Sequence, residues 1–258
     1  MNPLITLTTD FGTFSPYVAA MKGVILSINP QAQLLDLCHT IPPQDVRYAA
    51  WFLREALPYF PSEALHVVVV DPGVGTERAL LYVEVGRCRL LVPDNGLWTW
   101  LEEVGPRRII LLQERRWWRE TVSNTFHGRD ILAPVVARLS LGLEPGQLGP
   151  ARETWVQLPW PVPEQHGAIL EGEVLFVDDF GNLITNLRGS GETSIVQLGE
   201  QSISRWVRSY GEASSGELVA LISSGGWIEV AQVNGSAAAI LGMGRGAKVR
   251  LLPVHDSK

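Results

Sequence analysis

What the 258-residue sequence lacks excludes several classes of protein. Only two cysteines occur, Cys38 and Cys88, and they do not form a CxxC pair, so buried free thiols in a reducing compartment are expected. No uninterrupted apolar run approaches the ~20 residues that span a bilayer. The chain does not begin with a basic stretch followed by a long apolar one, as a secretory signal does. These absences favour a cytoplasmic protein with no membrane partner.

The sequence also lacks a basic cluster and the common catalytic and nucleotide-binding motifs. The net charge is −6 and no block of Lys or Arg stands out, so a nucleic-acid partner is not expected. The sequence contains no GxGxxG, GxxxxGK[ST], GxSxG or HExxH. A dinucleotide fingerprint, a phosphate loop, a nucleophile elbow and a catalytic zinc are therefore unsupported. The composition is that of an ordinary globular protein, with 46% hydrophobic residues to form a core.

The first part of the chain predicts an α/β domain. Val67 to Val70 form an unbroken β-branched run without polar alternation, which is typical of a strand buried on both faces of a parallel sheet. Before and after it, strand-like and helical segments alternate at the spacing of βαβ units. The predicted strands are 4–8, 33–37, 66–70, 80–85, 89–92 and 108–112, and the predicted helices are 17–28, 44–57, 97–104 and 131–141. The strands 80–85 and 89–92 are predicted to form a hairpin around Gly86.

The character of the sequence changes after Gly149. Pro159, Pro161 and Pro163 indicate a linker, because proline suits neither a helix interior nor a central strand. Six strand-like segments follow, separated by turns, which predicts a small β-barrel or sandwich: 172–177, 183–187, 194–198, 217–222, 227–231 and 248–252. We therefore predict an α/β domain over 1–150, a proline-rich linker over 151–164 and an all-β, barrel-like domain over 165–258.

Two groups of residues in the first part could carry chemistry. Asp71 ends the central strand, where ligands bind in open α/β sheets, and Arg78 lies one short glycine loop away. The two residues can equally form a salt bridge that only braces the loop. His127 precedes a predicted helix, whose N-terminal dipole keeps a histidine neutral near pH 7. A neutral histidine can accept a proton or orient a water, or it can simply hydrogen-bond the helix start.

Other candidates are weaker when taken singly. Asp10 ends the first strand and can grip a ribose diol or cap the following helix. The segments 178–182, 223–227 and 234–238 are turn-like, with small residues that let a ligand approach the backbone. Carboxylates at 71, 94 and 130 raise the alternative of a magnesium-dependent phosphoesterase, although they follow no metal-binding motif.

Five stretches, taken together and in order, resemble the S-adenosyl-L-methionine hydroxide adenosyltransferases, relatives of the S-adenosylmethionine-dependent fluorinase and chlorinase. They are TTDFG (8–12), VDPGVGTER (70–78), PDNG (93–96), FHGRD (126–130) and DFGN (179–182). The resemblance covers nearly the whole chain. It implies an N-terminal α/β domain, a C-terminal β-barrel-like domain and homotrimers with each active site between subunits. It also implies conversion of S-adenosylmethionine and water to adenosine and methionine without a cofactor.

The resemblance also implies the roles of individual residues. The family's catalytic set falls on Asp71, Arg78 and His127, and its ribose-binding aspartate falls on Asp10. The second domain would contribute the following: Asn182 and Phe180 at the adenine, Asp178 (or Asp179) at the methionine ammonium, Ser224 on the methionine side, and the backbone near Ala237 or Ala238 at the adenine edge.

The catalytic set distinguishes the branches of the family. The halogenating branch lacks it, so its presence here favours water over halide as the nucleophile. A halogenase and a non-catalytic protein that binds S-adenosylmethionine or adenosine remain alternatives. In the hydrolase, we expect Arg78 and His127 to hold the water while Asp71 fixes their geometry. The sequence leaves open whether His127 takes the proton or Arg78 stabilises hydroxide.

Overall fold

The computed structural model describes residues 4–101, 105–189 and 194–253. The chain forms two compact units, Met1–Leu158 and Pro159–Lys258. Within the described ranges, no helix is both long and apolar enough to cross a membrane. Both cysteines are free thiols, with Cys88 buried and Cys38 partly exposed.

The first unit is built on a six-stranded sheet. Its strands are β1 (Leu4–Thr9), β2 (Gln33–Cys38), β3 (Leu65–Val69), β4 (Leu80–Val85), β5 (Cys88–Pro93) and β6 (Arg108–Leu111). Their order across the sheet is β2-β1-β3-β5-β4-β6. The first four in that order are parallel, whereas β4 is antiparallel to both β5 and β6. The predicted, mostly parallel α/β sheet is confirmed, with one reversed strand near its edge.

Helices cover both faces of this sheet. They are α1 (Tyr17–Ile28), α2 (Val46–Ala56) and α3 (Ala133–Ser140). A π-helical turn over Gly128–Leu132 lies directly before α3, and the unit also contains 3-10 turns over Leu57–Tyr59, Arg115–Trp117 and Pro145–Gln147. Successive residues of β3 point to opposite faces, so Val67 and Val69 join the core formed with α1 and α3, while Val68 packs with Leu53 of α2. Burial on both faces explains why this strand has no polar alternation.

One predicted helix of the first unit is wrong. Residues 97–100 form turns, and residues 102–104 lie outside the described part of the chain. Gly96, with φ of +87°, begins the turns, and the side chains of Thr99 and Trp100 both donate to the carbonyl of Leu158. Leu97 and Trp98 are almost wholly buried. The apolar run therefore fills the core from a turn, and its composition does not distinguish such a turn from a short buried helix.

The second unit is an antiparallel sheet that nearly closes on itself. Its strands are β7 (Glu164–His166), β8 (Ile169–Val177), β9 (Leu183–Thr185), β10 (Ser194–Leu198), β11 (Gln201–Ile203), β12 (Leu218–Ile222), β13 (Ile228–Gln232) and β14 (Lys248–Pro253). Their order is β11-β10-β14-β8-β9-β13-β12, with β7 beside β8. A bridge between Trp206, just beyond β11, and Ala220 of β12 links the two ends of this order. A short helix, α4 (Ala237–Leu241), follows β13. The predicted barrel-like architecture is confirmed.

Candidate active site

The carboxyl end of β3 carries a hydrogen-bonded ion pair. Asp71 follows the strand after the buried Val70, and Arg78 lies seven residues further on. The guanidinium Nε donates to both Asp71 carboxylate oxygens, at 2.9 and 3.0 Å, and Nη2 donates to Oδ2 at 2.5 Å. The side chains of Arg78 and Asp71 are only 12% and 6% exposed. A charge-assisted, multiply bonded contact shielded in this way fixes the orientation of both groups.

His127 joins this pair from a segment 49 residues away. Its Nδ1 lies 2.8 Å from Arg78 Nη2. Because a guanidinium can only donate, Nδ1 must accept, and the proton of the neutral ring is on Nε2. Burial lowers the pKa of His127, the charge of Arg78 lowers it further, and the carboxylates of Asp71 and Asp130 offset part of the change. His127 is therefore neutral at pH 7 and offers an N–H, not a lone pair, to a neighbouring molecule.

The helical segment after His127 is pressed against the central strand. The π-helical turn begins at Gly128 and continues into α3. Such turns occur frequently at functional sites. A Cβ on Gly128 would lie 3.2–3.3 Å from side-chain atoms of Val69 and Met21. This close approach brings His127 to the end of β3, where Asp71 and Arg78 lie.

A second close approach joins the two loops of the site. Gly75 has φ of +80°, and a Cβ there would lie 2.4 Å from the carbonyl oxygen of Asn124. Only glycine fits both the left-handed conformation and the available space. The loop that carries Arg78 is thereby held against the segment that leads to His127.

Asp130 anchors the segment around His127. Its fully buried carboxylate accepts from Arg119 Nη1 at 2.7 Å, from Arg129 Nε and Nη2 at 2.7 and 2.8 Å, and from the backbone N–H of Ser123 at 2.9 Å. Burial alone would raise the pKa of Asp130, but these hydrogen bonds outweigh it and lower the pKa to about 2. The carboxylate ties the chain before His127 to the turn after it. Sequence reasoning considered Asp130 only as a metal ligand and missed this arrangement.

The three carboxylates of the magnesium alternative do not form a group. Asp71, Asp94 and Asp130 are each paired with arginine, Asp94 with Arg152 at 3.2 Å. Among the described residues, no three His, Cys, Asp or Glu side chains lie together so that they could hold a metal ion.

A cavity of about 340 Å³ opens beside the Asp71–Arg78–His127 trio, and we call it the Asp10 cavity. Asp10 follows β1, and its Oδ2 accepts from the backbone N–H of Gln44 at 2.8 Å. The rings of Phe11, Tyr17 and Phe126 pack edge to face along its wall, with centroids 5.3–5.8 Å apart. Among the described residues that line it, the only charged side chains are the carboxylates of Asp10 and Asp71. Asp71 is paired with Arg78, so the carboxylate of Asp10 is the one that favours a ligand with a positive charge in this cavity.

A second cavity, of about 460 Å³, also borders the trio, and we call it the Arg115 cavity. His127 lines both cavities, whereas Arg78 lines this one together with Arg115. Its other polar lining side chains include Gln113 and Asn124. No carboxylate is among the described residues that line it, so its charge is opposite to that of the Asp10 cavity.

The second unit holds a cavity of about 640 Å³ beside the loop between β8 and β9. Asp178, Phe180 and Asn182 of this loop line it, together with Tyr210 and residues 232–235. Asp178 Oδ1 accepts from the backbone N–H groups of Phe180 and Asn182, and its Oδ2 accepts from the Asn182 side-chain amide at 2.9 Å. The amide of Asn182 thus has a fixed orientation, and Phe180 is 79% exposed. Asp179 is exposed as well.

The other two candidates of the second unit lie in different places. Ala237 begins α4, which contacts the same loop, because Ala238 donates its N–H to the carbonyl of Gly181 at 2.9 Å. Ser224 lies in the turn between β12 and β13. Ser224 is not among the described residues that line the cavity beside the loop at 178–182. The unit therefore brings Asp178, Phe180, Asn182 and Ala237 together but not Ser224.

A buried carboxylate near this loop was missed by sequence reasoning. Glu229 of β13 is 4% exposed, and Tyr210 donates its hydroxyl to it at 2.6 Å. Burial raises the pKa of Glu229, and the nearby charge of Asp178 raises it further, against the effect of the Tyr210 hydrogen bond. The alternation of apolar residues in β13 marks it as a strand but does not reveal a partner on another segment.

The fold and the site together define a class of protein. An α/β unit with an Asp–Arg–His set at a strand end is followed by a barrel-like β unit. Residues 5–149 match the model of the SAM hydroxide adenosyltransferase N-terminal domain, and residues 172–250 match that of the C-terminal domain. The chain belongs to the SAM hydroxide adenosyltransferase family.

Known proteins similar to the chain agree with this assignment. An (R)-S-adenosyl-L-methionine hydrolase of Thermus thermophilus is 43% identical over 98% of this chain and 100% of its own length. The protein of the same name from Salinispora tropica is 40% identical over 97% of this chain and 98% of its own length. A crystal structure of a conserved protein from Thermotoga maritima has a TM-score of 0.87 at 32% identity, covering 96% of this chain and 100% of that one. A fluorinase of Actinoplanes sp. is less similar, with 26% identity over 72% of each chain.

Proposed function

We propose that this protein hydrolyses S-adenosyl-L-methionine to adenosine and L-methionine. The observation that carries the proposal is the continuous hydrogen-bonded set Asp71–Arg78–His127 at the end of β3. Membership of the family and the names of the similar hydrolases support the same reaction. A protein that only bound the substrate would have no need of such a set.

The charge of the Asp10 cavity suits the substrate. S-adenosylmethionine carries a sulfonium cation next to its ribose, and the described lining of this cavity has two carboxylates and no arginine or lysine. Asp10 would accept hydrogen bonds from the ribose hydroxyls, since it uses only Oδ2 for the backbone of Gln44. The α/β domain, predicted over 1–150, would therefore hold the ribose and the reacting carbon.

The β-barrel-like domain, predicted over 165–258, would hold the two ends of the substrate. Asn182 donates one amide N–H to Asp178, which leaves its oxygen and second N–H for an adenine edge. The exposed ring of Phe180 can stack on the base. We assign the methionine ammonium to Asp178 rather than Asp179, because Asp178 is positioned by three hydrogen bonds and lines the cavity.

The family resemblance implies a homotrimer with sites between subunits, and we extend that proposal to this chain. Such an assembly would let Ser224 and the Ala237 backbone act on a substrate together with residues of another copy. Light scattering should then give a mass three times the 28.4 kDa of one chain. A monomer that retains full activity would rule out sites shared between subunits.

The reaction needs in-line displacement at C5′. A C5′–O bond forms opposite the sulfur while the C5′–S bond breaks, and sulfur keeps the electron pair as the neutral thioether of methionine. Overall, water supplies the oxygen and one proton is released. Orienting the nucleophile can contribute ~7–11 kcal/mol to such a step.

The tautomer of His127 favours one of the two mechanisms. Its Nδ1 accepts from Arg78, so the neutral ring presents Nε2–H and has no free lone pair for the proton of water. Donors from Arg78 and His127 instead suit a hydroxide-like nucleophile. Asp71 keeps the guanidinium in place.

The configuration at sulfur is part of the proposal. A sulfonium with three different substituents is a stereocentre, and the names of the similar hydrolases specify the (R) form. We propose that this protein also prefers the (R) epimer. Separate incubations with each epimer would test this, and equal rates for both would contradict it.

The decisive experiment is incubation of purified protein with S-adenosylmethionine in chloride-free buffer and then with added chloride. Products would be separated by chromatography and identified by mass spectrometry. Adenosine plus methionine in both buffers, lost in His127→Ala, is the expected result. A chlorinated nucleoside would favour a halogenase, as in the fluorinase relatives. Unchanged substrate would favour a binding protein. Activity that survives EDTA would agree with the proposed absence of a metal cofactor.

A further inference from the structure

The two cavities beside the trio differ in charge. Carboxylates alone charge the described lining of the Asp10 cavity, and two arginines alone charge that of the Arg115 cavity. Asp71 lines the first, Arg78 lines the second, and His127 lines both. The hydrogen bond between Arg78 and His127 therefore lies at the boundary between a cation-favouring and an anion-favouring space.

This arrangement matches the two partners of the proposed reaction. The substrate is a sulfonium cation, and the nucleophile that a donor-rich site favours is an anion. In-line displacement requires the nucleophile to approach C5′ from the side opposite the sulfur that leaves. A substrate that fills the Asp10 cavity would still leave the Arg115 cavity open beside His127.

Arg115 and Arg78 both have guanidinium N–H groups available to a ligand. The Arg115 guanidinium stacks over the ring of Trp118 at 5.6 Å and forms no ion pair within the described parts of the chain. Arg78 uses Nε and Nη2 for Asp71 and His127, which leaves the two N–H groups of Nη1. The amides of Gln113 and Asn124 are further donors in the lining. Guanidinium and amide donors without a carboxylate are the usual features of a site for a small anion.

We propose that the Arg115 cavity binds a small anion and supplies the nucleophile, hydroxide in the native reaction, to the boundary formed by Arg78 and His127. The role of this cavity rests on the proposed function, but the presence of an anion site does not. Arg115 lies beyond the Asp71–Arg78–His127 trio and acts by attracting and holding the anion, not by touching the substrate.

Bromide locates the site independently of activity. Crystals of the full chain soaked in sodium bromide would be measured at the bromine absorption edge. The expected result is an anomalous peak beside Arg115 and Arg78, absent from crystals of Arg115→Gln. A peak only in the Asp10 cavity, or only at the outer surface, would overturn the proposal. This result is interpretable even if the protein does not hydrolyse S-adenosylmethionine, in which case only the proposed function would fail.

Kinetics then test the role in turnover. Azide should inhibit the wild-type enzyme, and Arg115→Gln should weaken this inhibition by about tenfold, since a hydrogen bond to a charged group is lost. Val122→Trp, which places a larger side chain in the cavity lining, should lower kcat with little change in KM. Val162→Trp, the same substitution at a valine that is 75% exposed and lines neither cavity, is the matched control and should behave like wild type. Unchanged kcat in a folded Val122→Trp variant, or equal azide inhibition in Arg115→Gln, would refute the proposed supply route.

Discussion

Replacing Asp71 by Asn tests whether the Asp71–Arg78–His127 trio acts as a unit. Asp71 accepts three hydrogen bonds from Arg78, and both side chains are mostly shielded from water. An asparagine keeps the shape but turns an NH₂ group toward one guanidinium donor and removes the charge. Losing two charge-assisted hydrogen bonds at ~1.5 kcal/mol each gives about 3 kcal/mol, or a roughly hundredfold lower kcat if the loss is felt in the transition state.

The assay is the rate of adenosine formation at saturating S-adenosylmethionine, followed by chromatography. Arg78→Ala and His127→Ala should show losses of similar size, and combining either with Asp71→Asn should add little, because residues acting as a unit are non-additive. Asp94→Asn is the matched control, since it breaks a buried Asp–Arg pair of the same unit outside the trio. It should lower the unfolding temperature but not kcat. If Asp71→Asn keeps most of the wild-type kcat, Asp71 only braces the loop and the three residues do not act as a unit.

Three further predictions concern pH, substrate affinity and acid stability. The kcat should fall on the acid side with an apparent pKa below the usual 6.5 of histidine, because protonated His127 cannot accept a hydrogen bond from Arg78. In Asp71→Asn the residual activity should fall at still lower pH, since the Asp71 carboxylate raises the pKa of His127. A pH profile that does not shift in this variant would contradict the assignment of the acid-side fall to His127. Asp10→Asn should raise KM by about tenfold through weaker ribose binding while kcat changes little, which initial-rate measurements would show. Asp130 has a pKa of about 2 in the folded protein, below its reference value of 3.8. Its ionised carboxylate therefore stabilises the fold above pH 3.8, and this stabilisation is lost as the pH falls toward 2. The free energy of unfolding of Asp130→Asn, measured with urea, should lack this part of the pH dependence.

The fold was largely accessible from the sequence because its elements have strong local patterns. Helix α1 has the predicted bounds, Tyr17–Ile28, and the β-branched run at 67–70 marked the central strand. The predicted hairpin around Gly86 is confirmed and accounts for the antiparallel pairing of β4 with β5. The pairing of β4 with β6 joins segments that are further apart in the chain, so no local pattern predicts it. The helix predicted over residues 97–100 is wrong for a related reason. Burial explains the apolar composition of these residues, but contacts with the distant Leu158 determine their conformation.

In the candidate site, too, contacts within one loop follow from the sequence, whereas contacts between distant segments do not. Asp71 and Arg78 share one loop, so their proximity follows from the sequence alone. The contact with His127 spans 49 residues and was anticipated only through the family resemblance. The hydrogen bonds around Asp130 and between Tyr210 and Glu229 were missed, because charged partners on different segments follow no periodic pattern. The roles of the individual site residues and the domain limits stay predictions.

The contact between Gly75 and Asn124 has a consequence for engineering the chain. Inserted residues or a larger side chain near Gly75 would force apart the two loops that hold Arg78 and His127. Gly167, in the turn between β7 and β8, has no atom within 4 Å of the position a Cβ would take, and its flanking residues are exposed. Peptide tags, reporter domains or new chain termini should therefore be placed at Gly167, because exposed loop tips tolerate insertion best.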